Sequence, residues 1–154
     1  MSATISTCGK YRYWLSREGD PSKRRVAFVM LNPSTADASV DDATIRRCRT
    51  FARGAGFVVA NLYAFRATKP ADMHAADDPH GLDNWRYLND IADGDYKIIA
   101  AWGGNADPKE AENFYWLCRS YQQPIYCLGV TNSGQPRHPL YVRSDAPIVP
   151  WSAP

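Results

Sequence analysis

The chain has 154 residues, 45% of them apolar and 22% charged, which suits one domain with a real core and leaves little room for two. No apolar run approaches the roughly 18 residues needed to cross a membrane, and the first residues lack a basic, then apolar, leader, so a cytoplasmic protein is expected. The net charge of +2 is too small to demand a nucleic-acid partner.

The first expected element is a short strand at 11–15, where polar and apolar residues alternate. Gly19-Asp20-Pro21-Ser22 is a turn. The run Arg25-Val26-Ala27-Phe28-Val29-Met30-Leu31 is continuously apolar after its first residue. Such a run reads as a strand buried on both faces of a parallel sheet. It leads directly into Asn32-Pro33-Ser34-Thr35-Ala36-Asp37. Asp41 or Asp42 can cap a helix reaching Arg53, with Ile45, Cys48, Phe51 and Ala52 as its apolar stripe.

A second buried strand is expected at 57–63, then an irregular stretch from Phe65 to about Pro79; His74 within it and His80 at its end read as solvated. A helix should follow at 83–92, and a third buried strand at 96–102, closed by Gly103-Gly104. Pro108 opens a helix running to about Tyr121. A fourth strand at 124–128 precedes a turn-rich segment at 129–137 and His138-Pro139-Leu140-Tyr141. The Pro-rich tail from Ala146 reads as an extended surface segment. Alternating strands and helices imply an α/β domain over residues 1–154: three layers, α/β/α, around a mostly parallel sheet of four strands.

The four cysteines form no C-x-x-C pair and no His stands at finger spacing, so free thiols are expected. The sequence points to no cofactor and no metal-ligand set. Oligomeric state is not legible.

In a parallel sheet the carboxyl ends of the strands share one edge, and ligands bind there. Four loops meet at that edge. They bring Asn32, Ser34, Thr35, Asp37, Asn61, Arg66, Trp102, Asn105, Asn132, Arg137 and His138 together. The chemistry suits an aromatic heterocycle. An Asn amide can pair with a base edge, and Trp102, Tyr63 or Phe65 can stack on it. A His can stabilise charge on a leaving group, and a carboxylate or amide can position a water. Arg46 and Arg47, with Arg49 and Arg53 on the same helix, can contact phosphates. Each has a plainer reading: Asn32 and Asn61 as loop caps, Asp37 as a turn residue, Trp102 as core, the arginines as a solvated face or salt bridges.

The same segments carry a resemblance. Leu31-Asn32-Pro33-Ser34-Thr35-Ala36, Asn61-Leu62-Tyr63-Ala64-Phe65-Arg66-Ala67-Thr68 and Pro136-Arg137-His138-Pro139-Leu140-Tyr141 resemble an uncharacterised bacterial and phage family, a domain of unknown function. More distantly, the order of Asn32-Pro33, Asn61 and His138-Pro139 resembles the uracil-DNA glycosylase superfamily, nearest its mismatch-specific branch. That resemblance implies a uracil-DNA glycosylase-like fold and hydrolysis of an N-glycosidic bond. It implies Asn32, with Asp37, positioning water, and His138 stabilising the departing base. Pro33, Ser34, Asn61, Tyr63, Arg66, Trp102 and Arg137 would then bind substrate, and Arg46 and Arg47 would bind DNA phosphates. The pattern is broken at Ser34, at Met30 or Leu31 where glycosylases have Gly, and at Leu140-Tyr141 where they have a serine-rich loop. Two alternatives stay open: a hydrolase or transferase on a free or modified nucleotide, and a non-catalytic module that binds a modified base.

Overall fold

A computed structural model describes all of residues 1–154. Its centre is a mixed sheet of seven strands: β1 (Ser2–Ile5), β2 (Arg12–Arg17), β3 (Val26–Met30), β4 (Phe57–Asn61), β5 (Lys97–Ala100), β6 (Ile125–Cys127) and β7 (Val149–Pro150). The spatial order is β1-β2-β4-β3-β5-β6-β7. The four expected buried strands form its parallel centre, β4-β3-β5-β6. The expectation of a four-stranded sheet is corrected at both edges. β1 and β2 add on one side and β7 on the other, all antiparallel to their neighbours.

The helices are α1 (Ala43–Ala52), α2 (Pro70–His74), α3 (Asn84–Asp93) and α4 (Pro108–Ser120). Asp42 caps α1 by accepting from the Ile45 N–H at 2.9 Å. Arg53 ends it in the left-handed conformation. The expected irregular stretch contains α2, a single turn whose one buried side chain is Met73.

Each of the four parallel strands divides its side chains between two cores, as the pleat dictates. Val26, Phe28 and Met30 face Ile45, Cys48 and Phe51 of α1. Ala27 and Val29 face a second core that includes Ile91 of α3 and Phe114 and Cys118 of α4. Helices therefore cover both faces.

The tail differs from the expected extended surface segment. β7 pairs with β6, and the next residue, Trp151, is 6% exposed. Its ring stands edge-on to Trp102 at 5.2 Å between centroids, and its indole N–H donates to the Gly134 carbonyl at 2.9 Å.

Candidate binding cleft

The loops after the parallel strands surround a cleft of about 440 Å³. β3 delivers Asn32 and Ser34 to it, β5 delivers Trp102 to Asn105, and the segment after β6 delivers Arg137, His138 and Tyr141. The amino end of α1 supplies Asp42, Ala43 and Thr44 as the facing wall, and β2 supplies Arg12.

Asn32 stitches two loops together. Its Nδ2 donates to the Ala67 carbonyl at 2.8 Å, to Pro33 at 3.2 Å and to Phe65 at 3.4 Å. The Ala67 N–H in turn donates to the Pro33 carbonyl at 2.9 Å. Three carbonyls fix the amide's orientation and leave Oδ1 with no protein donor. Asn32 therefore acts both as loop clamp and as an acceptor at the cleft wall.

His138 precedes a short 3-10 turn, Pro139–Tyr141. Its Nδ1 accepts the Leu140 N–H at 3.2 Å. In the neutral ring the proton then sits on Nε2, a donor without a protein partner. Burial holds the His138 pKa below its ordinary value, and the charge of Asp42 pulls the other way. Gly103, at φ +75°, passes under the His138 side chain and donates its N–H to the Pro136 carbonyl at 2.8 Å. That left-handed conformation suits glycine.

Asn61 ends β4 opposite Met30 of β3. Phe57 and Val59, at alternate positions, lie in the same core as Met30, so Asn61 shares the face on which Met30 lines the cleft. Asn61 is 1% exposed, and neither Oδ1 nor Nδ2 has a hydrogen-bond partner. Buried amides are nearly always paired. Asn61 lies behind the cleft floor and does not line it.

Other expected site residues fall elsewhere. The Asp37 carboxylate accepts from the Ser39 and Val40 N–H groups, both at 2.9 Å, and these bonds hold its pKa low. It shapes its own turn and stands outside the cleft lining. Pro33 is buried beneath the Asn32 clamp. Tyr63 is buried, its hydroxyl accepting the Asp107 N–H at 3.2 Å. Arg66 donates to the Ser34 and Gly9 carbonyls, each at 3.4 Å, and holds the loop from outside. Trp102 touches the cleft but is 1% exposed and donates to Gln135 Oε1 at 2.9 Å, so it presents no open ring face.

Arg47 is a brace. Its guanidinium donates to Pro139 and Val142 carbonyls and to the Ser144 hydroxyl, tying α1 to the segment after His138. Arg46 is exposed and donates to the Asp41 carbonyl at 2.9 Å. Neither lines the cleft. His74 and His80 are exposed yet engaged, His74 with the Asn105 carbonyl at 2.8 Å and His80 with Glu110 at 3.2 Å. All four cysteines are free, and burial raises the pKa of Cys48, Cys118 and Cys127. No three His, Cys, Asp or Glu side chains are grouped to hold a metal ion.

Three contributors escape a reading of the sequence as site residues. Asp42 reads as a helix cap, and only one of its oxygens caps; the residue also lines the cleft. Tyr141 is 78% exposed and its ring lies 5.7 Å from that of His138, an open aromatic face where Trp102 has none. Arg12 sits in the edge strand, remote in sequence from every motif. Burial lowers its pKa to about 10, so it remains charged at neutral pH.

No curated protein and no solved structure matches the chain. A family model described as a protein of unknown function, DUF1643, matches residues 12–140, a span that holds every residue of the cleft except Tyr141. The chain belongs to the DUF1643 family.

Proposed function

We propose that the cleft binds the base of a nucleotide and hydrolyses its N-glycosidic bond, in the manner of a uracil-DNA glycosylase-like enzyme. The observation that carries this reading is Asn61: a buried amide with acceptor and donors all unpartnered, directly behind the cleft floor at Met30. An amide left open in this way suits the edge of a heterocycle. Water held at Asn32 Oδ1 attacks the sugar carbon and gives up its proton to the free oxygen of Asp42. The carbon–nitrogen bond breaks and its electron pair leaves with the base. The Nε2–H of neutral His138 stabilises the charge that develops there. Tyr141 supplies the stacking face.

Arg47 favours a free nucleotide, or a single extruded one, over a long duplex footprint, since its guanidinium is already engaged within the protein. A second reading, a module that binds a modified base without turnover, is favoured by Asp37, whose carboxylate is locked in its own turn.

Incubation with nucleosides, nucleotides and oligonucleotides bearing normal and deaminated bases, followed by chromatography for free base, tests the proposal. Base release that is lost in Asn61→Ala and His138→Ala supports it. Release that persists in both variants, or tight binding with no release, overturns it; the latter selects the binding module.

A further inference from the structure

A guanidinium taken out of water is ordinarily paired, because the desolvation of one ion costs several kcal/mol. Arg12 is 2% exposed and makes one side-chain hydrogen bond, from Nη1 to the Ala36 carbonyl at 2.8 Å. Its Nε is buried without a partner, and it forms no ion pair. The side chain lines the cleft. Across from it α1 begins. Ala43 and Thr44 line the same cleft, and their backbone N–H groups meet no protein acceptor. The amino end of a helix carries about half a positive charge. The Thr44 hydroxyl is likewise unengaged.

We propose that this corner of the cleft is an anion subsite, in which Arg12, the first N–H groups of α1 and the Thr44 hydroxyl hold a phosphate monoester. The substrate class named here rests on the glycosidic reading above: a nucleoside monophosphate rather than a nucleoside.

Asp42 stands at the same place and opposes an anion. Its Oδ1 accepts the Ile45 N–H, so an amide at this position keeps the cap while removing the charge. Inorganic phosphate alone should therefore bind weakly, and more tightly once Asp42 is neutral.

The experiment is an NMR titration of the labelled protein with inorganic phosphate, with chloride at matched ionic strength as control. Saturable movement of the Ala43 and Thr44 amide signals is expected. Asp42→Asn should tighten binding by about threefold to tenfold, the effect of one nearby charge in a half-exposed site. Arg12→Gln should lose the movement, and a native spectrum certifies its fold. A nucleoside 5′-monophosphate should bind at least about tenfold more tightly than the nucleoside, the gain expected of one charge-assisted contact of about 1.5 kcal/mol. Phosphate shifts that match the chloride control in both wild type and Asp42→Asn overturn the subsite. So does an oligonucleotide that moves these signals when the monophosphate does not. Base release without phosphate binding leaves the glycosidic reading standing and removes this one. Phosphate binding without base release does the reverse.

Discussion

β2 carries two buried arginines, and they are opposites. Arg17 is fully enclosed, and its guanidinium is satisfied all round. It donates to Asp41 Oδ1 at 2.8 Å, to the Ser16 carbonyl at 2.9 Å and to the Asp37 carbonyl at 2.6 Å. Arg49 closes the other side of Asp41 at 3.1 Å. Arg12, five residues earlier, bonds to one carbonyl and to no carboxylate, although the charge of Asp42 acts on it across the cleft. A buried charge with all its partners belongs to the architecture, and one that lacks them stands where a ligand can complete it. The contrast separates the end of β2 that anchors the 37–42 loop from the end that opens into the cleft.

The largest effects should fall on the anchoring end and on the tail. Arg17→Met leaves Asp41 with Arg49 alone and strands the Ser16 and Asp37 carbonyls, and should cost about 3–5 kcal/mol in urea unfolding. Burial alone would raise the Asp41 pKa, but the bonds to Arg17 and Arg49 outweigh it and hold the carboxyl low. A depressed carboxylate contributes stability above its unfolded pKa and loses it as pH falls through the folded one. Arg17→Met should therefore flatten part of the acid limb of the stability curve. Trp151→Ala empties the space against Trp102 and should cost about 3–5 kcal/mol, although it lies in what reads as an extended surface segment.

Intermediate and small effects should come from the cleft. Arg47→Ala frees the 139–144 segment from α1 and should cost about 2 kcal/mol, with faster proteolysis after His138. Asn61→Leu replaces an unpartnered amide and should stabilise by about 1 kcal/mol while abolishing base release. His138 has the smallest and most specific signature. Its folded pKa lies below the unfolded value of 6.5, so the unfolded chain takes the proton first. Stability should rise with pH between the folded pKa and 6.5, and His138→Gln should remove that slope.

The central strands were legible because burial on both faces leaves continuous apolar runs, as at Val26–Met30 and at 57–60. α1 was legible from its cap and stripe. β1 and β7 were not. Ser2–Ile5 is half exposed and lacks an apolar run, and β7 is two residues long and ends in Pro150. Their pairing comes from the sheet edges they meet. The same limit applies to the site. Asn32 and His138 announce themselves beside prolines, in the loops that follow β3 and β6. Arg12 and Asp42 enter the cleft through β2 and a helix cap, neither of which marks a ligand in sequence. Trp102 and Arg47 carry the right chemistry, and tertiary partners consume it.

The most direct test compares unfolding of the wild type and Arg12→Met, with and without a nucleoside monophosphate. Without ligand, Arg12→Met should be as stable as the wild type to within about 1 kcal/mol, since an underpartnered charge contributes little. With ligand, only the wild type should gain stability. A loss of several kcal/mol in ligand-free Arg12→Met would make Arg12 a second Arg17, and an equal ligand-dependent gain in both proteins would take it out of the site.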